Sequence, residues 1–223
     1  MEDFGFYLVM TNPAAGYEKC AEAAVEGGVK MLQLRMKHAA REDVLAMARK
    51  IRAITAGSAT RFIVNDDPSI AAESGADGVH VGQDDMPVAE VRRRWPSIGI
   101  VGLSTHNPDQ ARRAAEAVGD ARPDYIGVGP VFATPTKDIP DPVLGVETAG
   151  RMIASVSFPA VAIGGINLSN LHEVVAAGAR NFAVVREVCS SLDPLAAIRK
   201  LMDAVVASRN PSVSSPEKNR GCG

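Results

Sequence analysis

Cysteine is scarce in this chain: its 223 residues contain only Cys20, Cys189 and Cys222. These form no CxxC pair and no zinc-ligand spacing, which argues against a zinc-stapled module. The odd, sparse count suits a reducing compartment. No GxGxxG follows the first apolar run, so a dinucleotide-binding doubly wound sheet lacks its main signature. Charge of one sign is not in excess either. Lys+Arg 24 against Asp+Glu 26 leaves a net −2, which gives no global attraction to nucleic acid or an anionic membrane. The N-terminal stretch MEDFGFYLVMTNP is acidic and its apolar run is short, unlike a secretory signal or a transmembrane helix. The expected compartment is the cytoplasm, with no membrane or nucleic-acid partner.

An apolar fraction of 46% with 22% charged residues is that of a soluble globular protein. Eight apolar runs recur along the chain: Tyr7–Met10, Met31–Leu34, Phe62–Val64, Gly78–Val81, Ile98–Gly102, Tyr125–Val128, Ala160–Ile163 and Phe182–Val185. Most are nearly continuous rather than alternating, as in strands covered on both faces. Segments of helical periodicity lie between them, including Glu18–Glu26, Arg41–Ala56, Asp109–Val118, Val146–Ser155, Leu171–Ala177 and Pro194–Val206. Asp67-Pro68, Asn107-Pro108 and Asp193-Pro194 read as an N-cap followed by the first helical residue. Gly27-Gly28 and Ala177-Gly178 read as helix stops. Eight strand–helix units with short connections predict a single-domain α/β fold, a (β/α)8 TIM barrel over residues 1–206. The stretch 207–223, rich in Ser, Pro and Gly without apolar periodicity, is expected to be a disordered tail.

In such a barrel the functional face lies at the C-terminal ends of the strands. The residues just past each apolar run therefore converge: Asn12; Gln33, Arg35 and Lys37; Asn65 and Asp66; Gln83, Asp84 and Asp85; Ser104 and His106; Thr134, Thr136 and Lys137; Gly164 and Gly165; Arg186. Adjacent strands are ~4.8 Å apart, so carboxylates ending the third and fourth can share one cation. Asp66 and Asp85 fit a magnesium site, since that ion takes one or two carboxylates and completes its shell with water and substrate phosphates. Spacing alone does not choose between Asp84 and Asp85, one of which can instead cap the next helix. Asp67, before Pro68, reads as a cap. Arg35, Lys37 and Lys137 suit phosphate charge, Arg as a bidentate fork and Lys as a point charge. The bland alternative for Arg35 and Lys37 is a strand end entering a solvated loop.

The stretch YIGVGPVFATPTKDIPDPVLGVE places Thr134, Pro135, Thr136 and Lys137 in a long loop, and long loops in compact barrels are usually functional. Gly164 and Gly165 permit close backbone approach to a phosphate. His80, inside the fourth run, reads as a packed or hydrogen-bonded core histidine. His106 reads either as a proton shuttle or as a supporting partner.

Taken in order, QLRMK, NDDPSIAAESGADGVHVGQDD, GLSTH, DYIGVGPVFATPTK, LGVE and AIGGIN resemble the motifs of thiamine-phosphate synthases over roughly Tyr7 to Met202. The resemblance implies an enzyme that condenses a hydroxymethylpyrimidine diphosphate with a thiazole phosphate, releasing pyrophosphate. It implies that Gln33, Arg35, Lys37, Asn65, Ser104 and Lys137 hold the pyrimidine diphosphate, with Arg35, Lys37, Ser104 and Lys137 serving catalysis. It implies Mg2+ on Asp66 and Asp85, which selects Asp85 over Asp84. Thr134, Pro135, Thr136 and Gly165 would contact the thiazole phosphate, with the backbone at Val185 and Arg186 completing its cradle. Arg186 departs from the family's usual serine. The rival readings are a metal-free thiazole tautomerase, which needs no pyrophosphate clamp, and a non-catalytic sensor of thiamine phosphates. The partners expected are small molecules, and an oligomer is compatible with the sequence.

Overall fold

A computed structural model describes residues 1–134 and 141–209 of the chain. The eight apolar runs become β1 (Phe6–Met10), β2 (Met31–Leu34), β3 (Arg61–Asn65), β4 (Gly78–Val81), β5 (Ile100–Thr105), β6 (Tyr125–Val128), β7 (Ala160–Ala162) and β8 (Asn181–Val184). Every strand pairs in parallel with its sequence neighbours, and β1 also pairs with β8, closing the barrel. Around it lie α1 (Tyr17–Glu26), α2 (Arg41–Thr55), α3 (Pro68–Ser74), α4 (Val88–Arg94), α5 (Pro108–Glu116), α6 (Gly145–Ala154), α7 (Leu171–Ala176), α8 (Arg186–Cys189) and α9 (Pro194–Arg209).

The continuous hydrophobicity of the strands has a direct cause: successive side chains point to opposite faces and both faces are buried. In β1, Phe6, Leu8 and Met10 join the layer between strands and helices, together with Leu32, Phe62, Val79, Val101, Ile126 and Phe182. Tyr7 and Val9 face the barrel interior with Met31, Ile63, Tyr125, Val161 and Ala183, and Phe4 packs against this inner set.

One strand lies later in the sequence than its hydrophobicity predicts. The expected Ile98–Gly102 becomes Ile100–Thr105, so Ser104 is part of β5 rather than of the loop beyond it. The ladder decides this. Pairing runs from Gly78↔Ile100 to Val81↔Leu103 on one side, and from Gly102↔Tyr125 to Thr105↔Val128 on the other. The buried Thr105 hydroxyl also donates to the Gly127 carbonyl at 2.8 Å. Backbone pairing thus carries two hydroxyl residues into a strand that local hydrophobicity would have ended earlier.

The cap signals behave as their chemistry requires. Asp67 Oδ1 accepts from the N–H groups of Ser69 (2.8 Å) and Ile70 (3.1 Å), Asn107 Oδ1 from Gln110 (3.0 Å) and Asp193 Oδ1 from Ala196 (3.0 Å). Gly28 and Gly178, just past α1 and α7, take positive φ. The last helix runs to Arg209, three residues past the expected boundary at 206. Residues 210–223, including Cys222, lie outside the described residues. Cys20 and Cys189 are buried free thiols, and burial pushes Cys20 up to about 11. Among the described residues no helix is long and apolar enough to cross a membrane.

Because Asp67 satisfies two otherwise unpaired N–H groups at the start of α3, Asp67→Ala is expected to cost about 1 kcal/mol of stability. Denaturant unfolding of the two proteins at neutral pH checks this.

Candidate active site

The C-terminal ends of the strands surround a cavity of about 690 Å³. Of the residues expected there, Gln33, Arg35, Asn65, Ser104, Thr134, Gly165, Val185 and Arg186 line it, as does His106. Lys37, Asp66 and Asp85 stand on the rim beside it. Pro135, Thr136 and Lys137 lie outside the described residues.

On the rim, Lys37 Nζ donates to Asp66 Oδ2 in an ion pair. Asp66 holds a left-handed backbone with φ 64°, a region that aspartate tolerates better than most non-glycine residues. Its N–H donates to the His80 carbonyl at 2.8 Å, anchoring the bend on β4. Asp85 Oδ2 accepts from the Gly82 N–H at 2.7 Å. Partial burial and the neighbouring Asp66 carboxylate raise Asp85 above the usual carboxylate range, while the Gly82 N–H and the Lys37 charge oppose that rise. The structure therefore brings Asp85 beside Asp66, the choice that spacing left open against Asp84. No group of three or more acidic, His or Cys side chains placed to hold a metal occurs among the described residues. The donor set of the rim is two oxygen-only carboxylates, and their mutual repulsion is what a hard cation relieves. That set fits magnesium, which keeps several waters and needs no dedicated protein cage.

The opposite side of the mouth is made of backbone. Gly164 and Gly165 have φ of 102° and 66°. A Cβ on Gly164 would lie 2.5 Å from Pro130 Cα, and one on Gly165 2.7 Å from the Ala133 carbonyl oxygen. Asn167 and Asn170 hold this bend by donating from Nδ2 to the Gly165 carbonyl, at 3.2 Å and 3.0 Å. Arg186 opens the short α8 at the same mouth and is exposed.

His106 is held rather than free. Its Nδ1 donates to the Gly129 carbonyl at 2.7 Å, and Asp141 Oδ2 lies 3.5 Å from the same nitrogen. It ties the end of β5 to the segment after β6 through Nδ1. The floor holds what sequence reasoning missed. Tyr7 and Tyr125, read only as parts of apolar runs, line the cavity together with His80, Thr11 and Asp141. The signal available for the tyrosines was a hydroxyl inside an otherwise apolar strand, which needs a buried partner.

Fold and site together define a class: a single-domain (β/α)8 barrel with a small-molecule cavity at its catalytic end. Within that class the chain belongs to the thiamine monophosphate synthase family, whose model matches residues 6–188. It is 40% identical over 205 residues to the thiamine-phosphate synthase of Albidiferax ferrireducens, covering 89% of this chain and 92% of that one. It is 39% identical over 209 residues to the enzyme of the same name from Methanospirillum hungatei, covering 92% of this chain and 100% of that one. Among solved structures, the thiamine phosphate pyrophosphorylase of Pyrococcus furiosus superposes with a TM-score of 0.82 at 29% identity, covering 92% of this chain and 97% of that one.

A carboxyl group raised in the folded state favours folding while protonated, and that contribution is lost as pH rises through its raised pKa. Asp85→Asn removes the repulsion, so in metal-free buffer at pH 7 the variant is expected to melt higher than the parent. Added Mg2+ is expected to raise the parent's melting temperature more than the variant's; calorimetry with and without the ion measures both.

Proposed function

We propose that this chain condenses 4-amino-2-methyl-5-hydroxymethylpyrimidine diphosphate with a thiazole phosphate, forming thiamine phosphate and releasing pyrophosphate, with Mg2+ as its cofactor. The family membership carries the reaction. The observation that carries the metal-assisted form is the Asp66–Asp85 pair at the rim, with Lys37 ion-paired to Asp66, beside a cavity lined by Arg35 and Asn65.

The electrophile in this reading is a methylene carbon on an aminopyrimidine, bearing pyrophosphate. Ring electron donation stabilises positive charge at that carbon, so the barrier is set largely by departure of the anionic leaving group. Arg35 and Lys37, with Lys137, stabilise that departing charge. Asp66 and Asp85 would hold the magnesium ion, which supplies further neutralisation of the pyrophosphate when bound. Gln33, Asn65 and Ser104 orient the pyrimidine end. Thr134, Pro135, Thr136 and Gly165, with the backbone at Val185 and Arg186, position the thiazole phosphate so that the ring nitrogen meets the carbon. The nitrogen lone pair is already a nucleophile, so no general base is required. The Arg186 guanidinium, where the family usually has serine, adds a charged donor at the thiazole-phosphate end.

Incubating the protein with both substrates, with and without Mg2+, and measuring thiamine phosphate tests the reading. Metal-dependent product is expected; product formed equally well without metal would remove the magnesium assignment. Asp66→Asn and Lys137→Ala are each expected to lower turnover by roughly 10²–10³, the cost of losing one electrostatic donor. Steady-state kinetics of each variant at saturating substrates checks this.

A further inference from the structure

The cavity floor contains an unbroken line of polar groups from one side of the barrel to the other. Gln33 Nε2 on β2 donates to the Tyr7 hydroxyl of β1 at 2.8 Å. The Tyr7 and Tyr125 hydroxyls are 2.9 Å apart, Tyr125 Oη is 3.0 Å from His80 Nδ1, and His80 Nε2 is 3.0 Å from Ser104 Oγ. Both phenols are fully buried, and burial raises both well above the ordinary phenol range, so each stays protonated and has one proton to donate.

Counting protons gives the line a direction. Among the described residues Tyr7 Oη meets only Gln33 and Tyr125. Since Gln33 donates to it, its own proton goes to Tyr125. Tyr125 then donates to His80 Nδ1, which must be unprotonated. The neutral imidazole carries its proton on Nε2 and donates it to Ser104 Oγ. The Ser104 hydroxyl proton is thereby not needed for the relay, and Ser104 lines the cavity.

The barrel is shaped around this arrangement. His80 and Tyr125 stack with ring centroids 5.4 Å apart. Gly102, on the strand between theirs, makes room: a Cβ there would lie 2.2 Å from Tyr125 Cζ and 2.5 Å from His80 Nδ1. Phe4 packs edge-on against both tyrosines at 6.0 Å, closing the floor from below.

We propose that Tyr7, Tyr125 and His80 are positioning residues that hold His80 in its Nε2–H form and thereby direct the Ser104 hydroxyl as a hydrogen-bond donor into the substrate cavity. This rests on the reading of Ser104 as a contact to the pyrimidine substrate. The opposite polarity, with Gln33 accepting and Nδ1 protonated, would make Ser104 donate inward and offer the substrate an acceptor only. A substrate acceptor atom is served by the first arrangement and rejected by the second, because an unmatched buried polar pair is costly.

Nitrogen-15 NMR of histidine-labelled protein at pH 7 reads the tautomer directly, without substrate and without a variant. A neutral Nε2–H form of His80 is expected; an Nδ1–H form would overturn the proposal. Tyr125→Phe keeps the stacked ring and removes the hydroxyl. It is expected to abolish the Nε2–H preference and to lower kcat/KM for the pyrimidine diphosphate roughly tenfold. In a Ser104→Ala background the same change is expected to add no further loss, since the relay acts through that hydroxyl. Independent losses that multiply to roughly a hundredfold would show a merely structural role and refute it. A parent protein that forms no thiamine phosphate would overturn the reaction assigned above, and the tautomer would then decide the relay alone.

Discussion

Two phenol hydroxyls 2.9 Å apart in the middle of the barrel are the constraint around which the interior is arranged. A buried hydroxyl without a partner costs on the order of 1–3 kcal/mol. Tyr7 and Tyr125 therefore require each other, and each requires a further polar neighbour. Gln33 serves one and His80 the other. The satisfied line gives the barrel a polar floor just below the strand ends where substrate chemistry is placed.

The requirement propagates into the backbone. The His80 and Tyr125 rings face each other across β5, so the β5 residue between them has no room for a side chain, and Gly102 occupies it. The same ladder that pairs Gly102 with Tyr125 pairs Ser104 with Gly127, which sets Ser104 at the height of the cavity. The floor and the length of β5 are thus consequences of one register.

At the rim the balance is electrostatic rather than steric. Two carboxylates share a small space with Lys37, and partial burial, with the neighbouring Asp66 carboxylate adding to it, raises Asp85. Such an arrangement is weak as a source of stability and suited to receiving a cation with an anionic ligand. The glycine bend after β7 is the complementary device. It removes side chains and is held by the Asn167 and Asn170 amides, leaving a shaped mouth opposite the charged rim.

Much of this was legible in the chain itself. Apolar runs of strand length separated by periodic helices determine an eight-unit barrel, because continuous hydrophobicity is what a parallel sheet buried on both faces needs. Asp67, Asn107 and Asp193 declared themselves as caps by standing before proline, a local signal requiring no tertiary contact. Arg35, Asn65 and Asp66 were placed by the rule that strand ends converge. The tertiary structure decided the rest. It extended β5 through Ser104 because the ladder outweighs local hydrophobicity, and it set Asp85 rather than Asp84 beside Asp66 through a side-chain direction that spacing does not encode. It also joined Gln33, Tyr7, Tyr125, His80 and Ser104 across five strands. Their hydrogen bonds depend on inter-strand register, and register exists only once the barrel has closed.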